Sequence, residues 1–194
     1  MEFLISLADG VEISENFRKG IPLFAMCKGM GQQCILIPDF DALNQGYQVL
    51  HNVDITQFAL PWESKVPMMI WRGSTAQGVA ITNSNFHRLS RVKLCELSYE
   101  QPQLIDAKFT IFAQFAEPVS YLEQFKGEII SFEDQLNYKY HILIDGNASS
   151  YSASGWKFFA NSLVFKPSSK WIQWYYNQLI PWVHYIPPDL CQLV

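Results

Sequence analysis

The sequence carries no surplus of positive charge: 14 Lys and Arg stand against 18 Asp and Glu, a formal net charge of -4. Without a polybasic field the chain has no electrostatic footprint for duplex nucleic acid, although a small anion can still bind locally. Cysteine is sparse, and Cys27, Cys34, Cys95 and Cys191 lie far apart, with no CxxC pair and no histidine at ligand spacing. This argues against a zinc framework and for reduced, half-buried thiols. No apolar run reaches the roughly 18 residues that a membrane-spanning helix needs. The opening MEFLISLADG has no basic stretch, and Asp9 closes its short apolar run at once. It reads as neither signal peptide nor anchor, which makes a cytoplasmic location the expectation. There is no GxSxG, Walker loop or HExxH motif. A lone DxD at Asp39-Phe40-Asp41 follows Pro38, and a turn accounts for it better than a metal site does.

What the sequence has in quantity is apolar substance, 49% hydrophobic and 15% aromatic over 194 residues, enough to bury a sizeable core. Short apolar runs at Phe3 to Leu7, Ile21 to Met26 and Cys34 to Ile37 read as strands, the first of them buried. The Gly29-Met30-Gly31 breaker separates the second and third. Residues 41 to 58 are mostly polar, and Pro61 to Lys65 opens a new unit. A core strand as early as residue three leads us to expect an upstream portion beyond this sequence.

Further along, Met68 to Trp71 and Leu104 to Phe112 read as strands, with a helix between them from Asn83 to Glu96 capped by Asn83 or Ser84. Pro118 to Phe125 and Ser131 to Tyr140 read as helices, the second with Ser131 as N-cap. His141 to Ile144 reads as a strand, Ser154 to Ala160 as a short helix, Leu163 to Phe165 as a strand and Ser168 to Leu179 as a helix. At helical spacing Trp171, Trp174, Tyr175 and Tyr176 are expected mostly in the core, and His87 and His184 as structural histidines. Alternation of strand and helix from about residue 68 onward predicts an α/β fold with a mostly parallel, helix-covered sheet.

In DGNASSYSASGWKFFANSLVFK, residues 145 to 166, an apolar run ends in Asp-Gly, eight small or polar residues follow, and the apolar pattern then resumes. A strand, a Ser/Asn-rich loop and a helix in that order surround ligands at strand carboxyl ends. WRGST after a strand, LIDAKFT, YKYHILIDGNASSYS running into WKFFANSLVFK, and YYNQLIPWVHYIP resemble, in this order, glycosyltransferase family 90. That family holds lipopolysaccharide-modifying and capsule-associated sugar transferases and the protein O-glucosyltransferases of the secretory pathway.

The resemblance implies a Rossmann-like, GT-B-type glycosyltransferase. Residues 1–65 would be a remnant of the acceptor-side lobe and residues 66–194 the nucleotide-sugar-binding lobe. It implies metal-independent, inverting transfer with a UDP-sugar as donor substrate and no separate cofactor or metal. Asp9 takes the place of the family's general base, which an acceptor hydroxyl needs before it can attack. Arg72, Gly73, Ser74 and Thr75 match the loop near the diphosphate. Asp145, Gly146, Asn147, Tyr151, Ser152 and Lys157 match the nucleotide loop and its helix, with Asp145 expected to hold a ribose hydroxyl or brace the loop. Two departures thin the positive charge: Thr75 stands where secretory members often carry a second Arg, and Ala153-Ser154 where many carry another. Lys157 is then the expected remaining cation of that helix. The implied acceptor is a lipopolysaccharide-like glycan. The alternative is a truncated, non-catalytic remnant that binds nucleotide or glycan weakly or needs a partner chain, and uncovered apolar edges that favour oligomerisation are expected with it.

Overall fold

The computed structural model describes residues 2–13, 20–40 and 60–188. Its centre is a parallel sheet of four strands, β5 (Val66–Ser74), β6 (Ile105–Ile111), β7 (Tyr138–Ile142) and β8 (Leu163–Phe165), in the order β6-β5-β7-β8. Met69, Ile70 and Trp71 are buried in succession, as a parallel strand covered on both faces requires. Helix α1 (Ser90–Glu100) lays Val92, Leu94, Cys95 and Leu97 into the same core, which Phe109, Leu122 and Phe125 complete. Truncating a fully buried ring such as Phe109 to Ala would cost about 3–5 kcal/mol.

The strand order places the site. From β5 the chain moves to one side for β6 and then returns to the other side of β5 for β7 and β8. Direction reverses between β5 and β7, and a crevice opens at the carboxyl ends of such a pair.

A smaller parallel sheet, β1 (Leu4–Ile5), β2 (Leu23–Ala25) and β4 (Ile35–Leu36), stands on its own cluster of Val11, Leu23 and Ala25. Strand β3 (Cys27–Gly29) pairs antiparallel with β9 (Trp171–Gln173), which ties this segment to the far end of the chain. Two short helices, α2 (Phe132–Gln135) and α3 (Tyr151–Lys157), flank β7. Among the described residues no helix is long and apolar enough to cross a membrane.

Several expectations need correction. Strand β1 is exposed rather than buried, with Phe3, Leu4, Ile5 and Leu7 facing solvent. The helix expected from Asn83 begins at Ser90, because Asn83 and Asn85 use their side chains on Glu117, Pro118, Thr82 and Ala80 and so hold turns instead. Ser131 does cap α2, accepting from the Asp134 N–H at 3.0 Å, yet that helix ends at Gln135 and Tyr138 enters β7. Residues 118 to 125 form a 3₁₀ turn at Ser120–Phe125. No α-helix forms over residues 168 to 179: Trp171, Ile172 and Gln173 pair with β3, a non-local ladder that overrides the helical spacing, and only a 3₁₀ turn at Tyr176–Gln178 follows. The same pairing turns Cys27–Gly29, expected in part as a breaker, into a strand. Residues 41 to 58 and Cys191 lie outside the described residues.

Candidate functional site

At the carboxyl ends of β5 and β7 lies a cavity of about 190 Å³, lined by Asp9, Ser74, Ala76, Arg91, Gly146, Asn147, Ala148, Ser149 and Tyr151. A larger hollow of about 480 Å³ adjoins it through Asn147, between Gly78, Val79, Ala80, Gln114 and Phe115.

Arg91 is the cation of this cavity. It stands in the first turn of α1, whose start is fixed by Gln77: the Gln77 Oε1 accepts from the Ser90 hydroxyl at 2.9 Å and from the Arg91 N–H at 3.2 Å. The Arg91 guanidinium donates to the Asp145 carbonyl from Nε at 2.9 Å, to the Ser74 carbonyl and hydroxyl from Nη1 at 2.9 and 3.2 Å, and to the Ile144 carbonyl from Nη2 at 3.3 Å, so all three nitrogens brace the strand ends while the group lines the cavity. It lies 5.6 Å from the centre of the Trp71 ring. Burial lowers its pKa to about 10, opposed by the charge of Asp145, so it remains a cation at neutral pH. Gly146 makes this approach possible, since a Cβ there would sit 2.7 Å from Arg91 Nη2.

Asp9 follows β1 and faces the same cavity. Its main-chain carbonyl accepts from the Tyr151 hydroxyl, and Oδ2 lies 3.5 Å from the Asn147 amide nitrogen. Asn147 is itself anchored, its Oδ1 accepting from the Gly78 N–H and from Gln114 Nε2, both at 2.8 Å. Tyr151 opens α3 with its ring 5.5 Å from that of Phe40, and burial raises its hydroxyl pKa. The Ser149 hydroxyl is held from behind by Tyr176 and Gln173.

A model of Glycosyl transferase family 90 matches residues 1–192. The chain belongs to that family. Protein O-glucosyltransferase 2 of Danio rerio is 28% identical over 206 residues, covering 100% of this chain and 38% of its own length. O-glucosyltransferase rumi of Drosophila melanogaster is 33% identical over 129 residues, 66% of this chain and 28% of its own. For Protein O-glucosyltransferase 1 of Bos taurus the identity is 27% over 201 residues, 96% of this chain and 48% of the relative. The chain thus spans less than half the length of these curated relatives.

Within this family member the structure brings Asp9, Ser74, Gly146, Asn147 and Tyr151 to one cavity, and it holds Arg72, Gly73, Thr75, Lys157 and the Asp145 carboxylate in other contacts. Arg72, expected at a diphosphate, is committed inside the fold: Nη2 meets Asp106 Oδ2 at 2.7 Å, Nη1 donates to the Trp71 and Asp106 carbonyls, and Nε donates to the Glu128 carbonyl. Gly73 lies against the Trp71 ring. The Thr75 hydroxyl is buried, donating to the Ala113 carbonyl and accepting from its N–H, each at 2.8 Å. Lys157 is 5% exposed and donates to the Ile142 carbonyl at 2.9 Å, away from the cavity. Asp145 braces the loop: its carboxylate accepts from the Ser169 hydroxyl, and burial raises its pKa against the pull of Ser169, Lys166 and Arg91. Ser152 lies in α3, and its side chain is outside the described residues. Asp39 is buried, and Asp41 of the DxD falls outside the description. Among the described residues no group of three or more His, Cys, Asp or Glu side chains is placed to hold a metal.

Arg91 is the residue that sequence reasoning missed. A cation in the first turn of a helix sits at the unfavourable end of the dipole, and that placement needs another reason, here the cavity. With the helix taken to start at Asn83, Arg91 fell in mid-helix and gave no signal. The reassignment is testable: Arg72→Ala should lower stability by about 1–3 kcal/mol in urea unfolding, by leaving Asp106 without its partner, and leave UDP affinity within about twofold. A tenfold loss of affinity would return Arg72 to the site.

Proposed function

We propose that this chain carries the donor-binding and catalytic groups of a glycosyltransferase that moves a sugar, glucose in the named relatives, from UDP to a protein hydroxyl. The observation that carries the reading is that one carboxylate, Asp9, and one arginine, Arg91, face a single cavity at the carboxyl ends of β5 and β7. Asp9 accepts the proton of the acceptor hydroxyl as its oxygen bonds to the anomeric carbon. The bond from that carbon to the diphosphate oxygen breaks on the opposite side, inverting the centre, and UDP leaves with the electron pair. Arg91 meets the charge that develops on the leaving diphosphate, the role a metal fills in other transferases. The relatives' names favour a protein acceptor over the lipopolysaccharide-like glycan expected from the sequence. In this proposal the arrangement is of GT-B type, the small sheet of residues 1–65 on the acceptor side and residues 66–194 on the donor side.

One observation favours a weaker, non-catalytic binder: Arg72 and Lys157 are both committed inside the fold. Calorimetric titration with UDP, without added metal, tests the donor site, and a sugar-transfer assay beside it separates the two readings. Saturable binding that weakens about tenfold in Arg91→Lys, which keeps the charge and loses the planar fork, supports the proposal. Equal affinity in wild type and Arg91→Lys would move the nucleotide elsewhere. Binding without any sugar transfer would favour the second reading.

A further inference from the structure

Two side-chain amides stand in series behind Asp9, and each is oriented by what it accepts. Gln114 Oε1 accepts from the Gln77 N–H at 3.1 Å and the Gly78 N–H at 3.2 Å. Its Nε2 is therefore the end that reaches Asn147, and it donates to Asn147 Oδ1 at 2.8 Å. The Gly78 N–H is shared between the two amides, and its shorter bond, at 2.8 Å, goes to the same Asn147 oxygen. With both lone-pair directions of Oδ1 taken, the Asn147 NH₂ is the group turned to Asp9 Oδ2, at 3.5 Å.

The backbone around this series is held in uncommon conformations. Gln114 has φ 64°, rare for a residue with a side chain, and Gly78 has φ 74°. A Cβ on Gly78 would lie 3.4 Å from the Asn147 carbonyl oxygen. Strained backbone persists only where its surroundings over-determine it, and such places cluster at functional sites.

We propose that Gln114 is a positioning residue for Asp9: it fixes the Asn147 amide so that an N–H, not an oxygen, meets the carboxylate, which leaves the other carboxylate oxygen free for the acceptor hydroxyl. The inference rests on Asp9 being the base. Without Gln114 the amide can rotate, and a carbonyl oxygen set against the carboxylate would repel it from the productive position. Among the described residues the other ionisable groups lining the cavity with Asp9 are Arg91 and Tyr151, and Cys27 of β3 and Asp39 act on Tyr151.

The test uses Gln114→Met, which keeps the length and removes the amide, and Asn147→Leu, which removes the donor directly. Each should lower kcat about tenfold with the KM for UDP-glucose unchanged. The double variant should fall no further, because both changes break one series. Multiplicative losses, or losses that appear in KM, would show two separate structural roles and overturn the proposal. A readout without turnover guards against failure of the enzymatic reading: the side-chain NH₂ resonance of Asn147 should shift on Asp9→Asn in the otherwise wild-type chain and not in Gln114→Met. The same shift in both backgrounds would mean that Gln114 does not set the amide, whether or not the chain transfers sugar.

Discussion

Asp9→Asn should lower kcat for the proposed sugar transfer by about 10³-fold and leave UDP affinity unchanged. The magnitude is that of losing a positioned general base, about 10²–10⁴-fold, placed near the middle because the acceptor hydroxyl has no other carboxylate in the cavity among the described residues. The unchanged affinity follows from where Asp9 is held. Tyr151 donates to the main-chain carbonyl of Asp9, which the substitution preserves, and among the described residues the side chain's hydrogen bond is the long contact with Asn147. Asn has nearly the shape of Asp, so the position of β1 and the loop should not change. The measurement is UDP released from UDP-glucose with a serine-bearing polypeptide that supports turnover, beside calorimetry with UDP alone. A kcat within threefold of wild type would remove Asp9 as the base, whereas a parallel loss of UDP affinity would make it a structural residue of the donor pocket.

Much of this site was legible because it depends on local chemistry. Met69-Ile70-Trp71 and Ile142-Leu143-Ile144 are continuous apolar runs, the signature of parallel strands buried on both faces, and both are buried. The small residues from Asp145 to Tyr151 mark the loop at a strand's end, and Gly146 and Asn147 do line the cavity. What was not legible depends on partners distant in sequence. Which cation faces the cavity is decided by where α1 begins, and the side chain that settles this is Gln77, thirteen residues before Ser90. Arg72 carries the family's motif, yet Asp106 and Glu128 on neighbouring segments claim its donors. The aromatic stretch from Trp171 has helical spacing and a strand's fate, because β3, far upstream, offers it a ladder.

Lys157 shows how burial replaces an expected role with a different one. It lies beside His141, which is fully buried with both ring nitrogens unpaired among the described residues, and near Lys65, whose ammonium donates to the Leu136 and Ala160 carbonyls. Burial first, and then the charge of Arg91, lower the Lys157 pKa from 10.5 to about 7. Burial, with Lys157 and Lys65, lowers that of His141 to about 2. Between the folded and unfolded pKa values of Lys157 the unfolded chain binds more protons, so stability rises with pH from about 7 towards 10.5. For His141 the same sign holds lower down, and stability is lost as pH falls from 6.5 towards 2. The cleanest window for Lys157 is pH 7 to 8.5, since the buried thiols and phenols with raised pKa values add an opposite slope only at higher pH. There the wild type should gain about 2 kcal/mol in urea unfolding. Lys157→Met keeps an apolar stem beside Trp156 and removes this titration, so its stability should rise less steeply over that window than the wild type's, with Lys65 and Lys166, whose pKa values burial also lowers, unchanged in both, and with an offset from the lost bond to the Ile142 carbonyl. Parallel slopes in the two proteins would mean that Lys157 keeps an ordinary pKa, with its ammonium still turned to the Ile142 carbonyl.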